Sequence, residues 1–432
     1  MIECAGDQTG RKPRILYVSP CAPRALGAGA EKRSFVAAAA LASFGDVFFL
    51  CAPSGETSQP LQPASFESNL FVKVLSDHDL VKAAPGIWDS FFSPSFGAKL
   101  LHRAWITAGS VLPTTRRQTD AIVDLIKKHC GNESFDLVFI FQAHAAVFAM
   151  QAARILVSRT GRVVVDWDAA ERPAAAAQYR AQTAKNTVLG NLARILNDTK
   201  LARYERYLLN TADVTVCASD YDVDYFLSRK PRGAVRTIPN CITVPKEILP
   251  ARAKAAAPSF LFVGLINYWP NRSGLQGFVR EVWPRLRKRF PGAEFRIVGR
   301  GLTDDIAAWN GQDGIQVIGA VDDLRPYYAD CDVVIVPMRF SVGSSIKILE
   351  SLAYCRPTVA FEASAKRHHL RNDEHMCIVS DDNDFFEKAV WIVENPKPAA
   401  AMAQRGYDLV AEYYSSTRIH GLIRNLASES PA

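Results

Sequence analysis

Short apolar runs of strand length recur along this chain, and most lead into a stretch with helical patterning. Arg14-Ile-Leu-Tyr-Val-Ser-Pro20 reads as a buried strand, followed by a Gly/Ala loop from Gly27 to Ala30, an Ala-rich helix from Glu31 to Phe44, and a second strand, Phe48-Phe49-Leu50. An apolar run without polar alternation suits a strand covered on both faces. Strand, helix, strand in that order implies a parallel sheet with right-handed crossovers.

The alternation resumes at Thr119. It predicts a helix to about Cys130, the strand Leu137 to Phe141, a helix from Ala145 to Ser158, and the strand Arg162 to Val165. A long polar helical zone from Ala175 to Asn210 comes next, then the strand Val214 to Ala218, a helix to Ser228, and a closing segment from Thr237 to Ile242. A second series starts at Phe260-Leu-Phe-Val-Gly264 and predicts a helix from Leu275 to Phe290, strands at Phe295–Gly299, Ile315–Gly319 and Val333–Val336, and a helix from Leu324 to Ala329. Thr358–Phe361, Cys377–Val379 and a helix from Phe385 to Glu394 complete it.

With 432 residues the chain is too long for one core. The expected architecture is α/β: two Rossmann-like doubly wound domains facing a central cleft, at 14–244 and 259–410. Between them, the Pro/Ala/Lys-rich stretch 245–258 reads as a linker, and 411–432 as a C-terminal helix packing back toward the first domain. Residues 51–113 are rich in proline and carry an aromatic cluster at Trp88, Phe91, Phe92, Phe96 and Trp105, expected to be an insertion packing on its own aromatics. An acceptor-facing or membrane-facing patch is the alternative there.

At 48% apolar and 22% charged residues, the composition is that of a folded globular protein. Nine cysteines show no C-x-x-C pair, and several lie inside apolar runs, which fits the reducing cytoplasm. The first thirteen residues lack the apolar centre of a signal peptide and no apolar run has membrane-spanning length, so any membrane contact is expected to be peripheral, at the inner face. The net charge of +7 is spread over short clusters, Arg116-Arg117, Arg229 to Arg232 and Arg285 to Arg289, which read as solvated helix faces. They leave room for attraction to anionic lipid or to a pyrophosphate-bearing acceptor, but no nucleic-acid-binding module accompanies them.

The most informative motif runs from Val334 to Ala353: a buried strand, a Gly/Ser loop, then a helix. The amides of Gly343, Ser344 and Ser345 fall at the helix start, where backbone donors are unpaired and the dipole favours an anion. Lys347 lies in the first turn, with Glu350 at i+3 on the same face. A cation suits a diphosphate and a carboxylate suits a ribose diol.

Several segments together resemble the GT-B glycosyltransferases of family 4 (group 1), of the bacterial exopolysaccharide and cell-envelope type. They are Phe262-Val-Gly-Leu-Ile-Asn-Tyr-Trp-Pro-Asn271, Phe278-Val-Arg-Glu-Val-Trp-Pro284, Ile297-Val-Gly-Arg-Gly301 and Pro337 to Ala353, with Val165-Asp-Trp-Asp168, Tyr204-Glu-Arg-Tyr207, Ala212-Asp213 and Ile238-Pro-Asn240 in the first half. The resemblance implies retaining, metal-independent transfer from a UDP- or GDP-linked sugar to a glycan or lipid-linked saccharide, with no cofactor beyond the donor. Carried over by residue, Glu350 matches the ribose carboxylate, Lys347 and Arg339 the cations near the diphosphate, and Gly343 to Ser345 the amide loop. Gly27 and Gly29 match the glycine loop of the acceptor domain. The chain departs from the family at Val342, where a Glu is usual eight residues before the ribose carboxylate, and at Ser345, where a related subgroup has Arg. The Arg and Lys that many relatives carry after the first donor-domain strand are replaced by the loop Asn267 to Asn271.

Retention places negative charge on the leaving diphosphate, so stabilising that charge is the main catalytic task, with Lys347 and Arg339 as the expected cations. A phosphate oxygen of the donor can take the acceptor's proton. His144 follows a strand and is a candidate for acceptor or donor contact, with a surface or capping role equally expected. Asp168, just past a strand end, is the candidate for a sugar hydroxyl, whereas Asp166 reads as a hydrogen-bonded structural residue. Gly264 and Asn267, at the end of the second domain's first strand, join the expected donor site, although Asn267, Pro270 and Asn271 also suit a plain turn. Asp166-Trp167-Asp168 also matches a D-x-D metal signature, read here as chance. Two rival readings share the fold: a UDP-sugar 2-epimerase, and a catalytically weakened nucleotide-sugar-binding protein.

Overall fold

The computed structural model describes residues 11–24, 29–51, 70–75, 116–173, 176, 188–245, 247–250, 252, 257–340 and 343–428. Gly27, Val342 and the aromatic cluster of Trp88 to Trp105 lie outside them. The chain divides into two compact units: Met1–Arg172, Thr183–Ile238 and Ile419–Ala432 form the first, and Pro173–Gln182 with Pro239–Arg418 the second.

In the first unit the elements are β1 (Arg14–Ser19), α1 (Gly29–Ala42), β2 (Asp46–Cys51), β3 (Lys73–Leu75), α2 (Arg116–Cys130), β4 (Phe135–Phe141), α3 (Ala143–Leu156), β5 (Val157–Asp166), α4 (Val188–Thr211), β6 (Val214–Cys217), α5 (Asp220–Leu227) and β7 (Ala234–Thr237). The sheet is parallel throughout, ordered β3-β2-β1-β4-β5-β6-β7. Leu16, Val18, Val138, Ile140, Val163 and Val165 from its centre share one buried cluster with Ala146, Ala149 and Met150 of α3. Small residues there let the helix lie close to the sheet. The reversal of strand order falls between β1 and β4, the place where doubly wound sheets open a crevice at the carboxyl ends of their strands.

The second unit repeats the plan with β8 (Ser259–Val263), α6 (Trp269–Glu281), α7 (Trp283–Arg289), β9 (Glu294–Val298), β10 (Ile315–Gly319), α8 (Arg325–Ala329), β11 (Val333–Val336), α9 (Ile346–Ala353), β12 (Thr358–Phe361), β13 (Cys377–Val379), α10 (Asp382–Glu394) and α11 (Pro396–Tyr413), and α12 (Ser416–Ser428) closes the described chain. Its parallel sheet is ordered β10-β9-β8-β11-β12-β13, so the reversal falls between β8 and β11. A buried aromatic group, Phe260, Phe278, Trp283, Phe295 and Phe385, packs edge to face between sheet and helices. Asp381 caps α10 by accepting from the Asp384 amide.

Two elements differ from the sequence reading for identifiable reasons. The helix expected from Leu275 starts at Trp269, six residues sooner, because Pro270 occupies the first turn, where a missing N–H costs nothing. It then breaks at Val282, ahead of Pro284, into α6 and α7. The basic run Arg285 to Arg289 is also spent within its own unit. Arg285 bonds Asn383 and lies over the Phe386 ring at 4.1 Å, Arg287 donates to the Ala293 carbonyl, and Arg289 pairs with Glu394. Among the described residues no helix is long and apolar enough to cross a membrane.

Candidate functional site

β11 is buried at all four positions and ends where the chain turns into the Gly/Ser loop. Helix α9 starts after Ser345, whose side chain makes no capping bond, and the Ile348 amide donates back to the Ser345 carbonyl at 2.9 Å. The Ser344 hydroxyl accepts from the Asn240 amide, which pins the loop to the segment leading out of β7. Gly343 and Ser344 are half-buried and Ser345 is buried.

Lys347, one turn into α9, reaches across to α6. Its Nζ lies 2.5 Å from Asn271 Oδ1 and 2.9 Å from Met338 Sδ, and 5.7 Å from the centre of the Phe262 ring. Asn271, only 2% exposed, is held in turn by donating its amide to the Leu265 carbonyl at 2.6 Å. Gly264 ends β8 beside this group. A Cβ there would stand 3.2 Å from Asn271 Nδ2, 3.2 Å from Phe262 and 3.3 Å from Lys347 Cε, so the glycine keeps the space for the lysine stem. Burial pushes the Lys347 amine down to about 7, against the opposing pull of Glu350. Asn267, on the neighbouring turn, is exposed, and its side-chain oxygen would be 2.5 Å from a Cβ at Gly301.

Glu350 has a different partner. The buried Tyr328 hydroxyl donates to its Oε2 at 3.3 Å, and the Tyr328 ring stacks on Tyr354 with centroids 4.4 Å apart. Burial, with the Glu350 charge adding to it, holds the Tyr328 phenol well above its usual range, so the hydroxyl remains a donor. One cation and one carboxylate thus diverge from a single helical turn, with the loop amides at its start. Arg339 pairs with Asp382 in the first turn of α10 and lies 4.6 Å from the centre of the Phe361 ring. The sequence reading missed Asn271 as a partner of Lys347, Tyr328 as a partner of Glu350, and Asp382 as a partner of Arg339. It also missed His368, a buried imidazole edge-on to Tyr414 and influenced by the Ser345 backbone.

In the first unit, the carboxyl ends of β1, β4 and β5 gather a second polar group. Arg33 on α1, 5% exposed, clasps Asp166 through Nε and Nη2 at 2.8 to 3.2 Å, and its Nε stands 3.8 Å from Asp168. Burial alone would lower the guanidinium, but Asp166 and Asp168 hold it above its usual value. Asp166 is therefore tied up as a structural residue, as its position suggested. Asp168 sits in the left-handed region at φ 59° and donates its amide to Asp166 Oδ1 at 3.0 Å, with its carboxylate partly exposed. Gln142, ahead of α3, holds φ 67° and ψ 136°, a region costly for a side-chain-bearing residue. Gly29 opens α1, Glu31 pairs with Arg24 at 3.5 Å, and His144 lies in the first turn of α3, its side chain outside the described part.

Residues 257–395 match the family of glycosyl transferases group 1, so the second unit carries a domain of that kind. Solved structures agree in fold over nearly the whole chain. Sucrose-phosphate synthase from Thermosynechococcus elongatus superposes with a TM-score of 0.65 at 17% identity, covering 96% of this chain and 98% of that one. HepE from Anabaena, in complex with UDP, gives 0.62 at 12% identity over 96% and 99%. The UDP-forming trehalose-phosphate synthase from Burkholderia xenovorans gives 0.60 at 12% identity over 97% and 100%. The two parallel-sheet units have the fold of GT-B glycosyltransferase structures, and the glycosyl transferases group 1 match falls within the second of them. Curated proteins offer no match.

Proposed function

We propose that the protein is a retaining, metal-independent glycosyltransferase, taking a sugar from a nucleotide diphosphate sugar to a glycan or lipid-linked saccharide. The observation that carries this reading is the divergence of Lys347 and Glu350 from the first turns of α9, at the reversal point of the second unit's sheet. An ammonium beside helix-start amides suits a diphosphate, and a carboxylate steadied by a phenol suits the two ribose hydroxyls. HepE structures hold UDP and UDP-glucose, which supports a uridine donor.

As the glycosyl phosphate bond breaks, charge grows on the departing diphosphate. In this reading Lys347 and the amides of Gly343 to Ser345 meet it, with Arg339 joining once it leaves Asp382. The acceptor hydroxyl passes its proton to a donor phosphate oxygen, and the first unit offers Asp168 and His144 for the acceptor's hydroxyls. The test is calorimetric titration with UDP-glucose and GDP-mannose. Lys347→Ala or Glu350→Ala is expected to weaken binding by about 1–3 kcal/mol, the worth of a charge-assisted hydrogen bond. Unchanged affinity in both variants refutes the site, and interconversion of a labelled donor to an epimer without acceptor refutes the transfer.

A further inference from the structure

The amine of Lys347 is enclosed by groups that carry no charge. Asn271 Oδ1 at 2.5 Å and Met338 Sδ at 2.9 Å accept from it, and the Phe262 ring closes a further side. Two acceptors satisfy the two N–H bonds of a neutral amine. An ammonium has three donors, and among the described residues the third finds no acceptor, a costly arrangement for a half-buried charge.

The charged groups on the neighbouring elements have other hydrogen-bond or ion-pair partners, although the Glu350 charge still pulls the amine upward. On α9 itself Glu350 turns to Tyr328 of α8. On α6 the residue after Asn271 is Arg272, which pairs with Asp305 at 3.0 Å. Beyond β11, Arg339 is paired with Asp382 of α10. β8 contributes only Phe262 and Gly264, and His368, near the helix start, is held neutral by burial.

Resting on the nucleotide-diphosphate reading above, we infer that an arriving diphosphate takes the place of Asn271 at the Lys347 nitrogen and is bound together with one proton, which that nitrogen keeps. A phosphoryl oxygen supplies the missing third acceptor and a compensating charge at once. Asn271 occupies the phosphoryl position in the meantime, and its second bond to the Leu265 carbonyl gives it a place to stay when displaced. Nitrogen and phosphate thus exchange only a proton with solvent, and no bond within the donor is touched.

The free-state value of about 7 for the amine sets the scale. At pH 8 binding should take up about 0.9 proton and at pH 6 about 0.1, with affinity falling by up to roughly tenfold per pH unit above about 7.5. The measurement is calorimetric titration with UDP-glucose and GDP-mannose in buffers of different ionisation enthalpy. The diphosphate diesters of these probes have no group that titrates in this range, so any proton taken up enters the protein. Lys347→Arg, always charged, should bind with no uptake and a flat pH profile. Wild-type binding at pH 8 without proton uptake overturns the proposal even if the arginine variant does not fold. Uptake that persists in Lys347→Arg overturns it by assigning the proton to another group. Absence of binding by either probe at every pH overturns the nucleotide-sugar reading itself, and the coupling with it.

Discussion

His368 predicts an acid-sensitive second unit. The imidazole is 9% exposed, and its ring centre lies 5.8 Å from that of Tyr414. Burial pushes its pKa down to about 4; the Ser345 backbone pulls the other way, and His369 and Arg367 add to the fall. In the unfolded chain the same group titrates near 6.5, so on acidification the unfolded state takes the proton first. Stability from the neutral ring is therefore present above pH 6.5 and is lost as pH falls toward 4. Each unit inside that window is worth about 1.4 kcal/mol, so about 2 kcal/mol is gone by pH 5 and about 3 kcal/mol by pH 4. His368→Phe keeps a ring against Tyr414 and removes both nitrogens, so it should be at least as stable at pH 7.5 and escape the loss at pH 5. Urea unfolding of both proteins at the two pH values measures the difference, with amide exchange in α9 reporting on the second unit alone. Titration of every other group cancels between the two proteins. Equal loss of stability in wild type and variant refutes the account.

Three further outcomes are expected. Gly264→Ala puts a methyl 3.2 to 3.3 Å from Asn271, Phe262 and Lys347, and should cost about 1–3 kcal/mol in thermal unfolding while weakening nucleotide-sugar binding; Gly299→Ala, whose Cβ would stand 1.7 Å from the Gly264 carbonyl oxygen at a φ of 152°, should yield no folded protein by circular dichroism. Asp382→Asn frees Arg339 from a partly exposed pair worth about 0.2–1 kcal/mol, so affinity for UDP-glucose should rise by about 1.4- to fivefold, and an affinity that falls removes Arg339 from the donor site.

Much of this was legible because it is local. Parallel strands buried on both faces announce themselves as apolar runs, and the strand order then follows from short right-handed crossovers. β3, with three residues, and β7, interrupted by Arg236, stand at opposite edges of the first sheet and carry too little apolar signal to be read as strands. Lys347 and Glu350 were found from their spacing. Their partners were not, because Asn271 lies 76 residues from Lys347 and Tyr328 lies 22 from Glu350. Pro270 misled by suggesting a turn, although a proline is equally at home in the first turn of a helix. Arg33 lies 133 residues from Asp166, and no local pattern links the two.

Arg33, Arg339 and Lys347 differ in what an incoming anion would have to displace. Arg33 is compensated by a carboxylate at hydrogen-bond distance inside the protein, so an anion there would have to strand Asp166, a loss of about 3–5 kcal/mol for a buried partner left unpaired. Arg339 is compensated as well, but by a pair open to solvent and therefore weak. Lys347 alone is met only by uncharged acceptors, so an anion arriving there displaces an amide oxygen and a thioether rather than a charge. The order in which these cations can answer an incoming diphosphate is thus Lys347, then Arg339, with Arg33 excluded. That ranking follows from the compensation of each charge and not from its distance to the loop. It supports the proposal that the diphosphate binds in the second unit even though the first holds the more deeply buried cation.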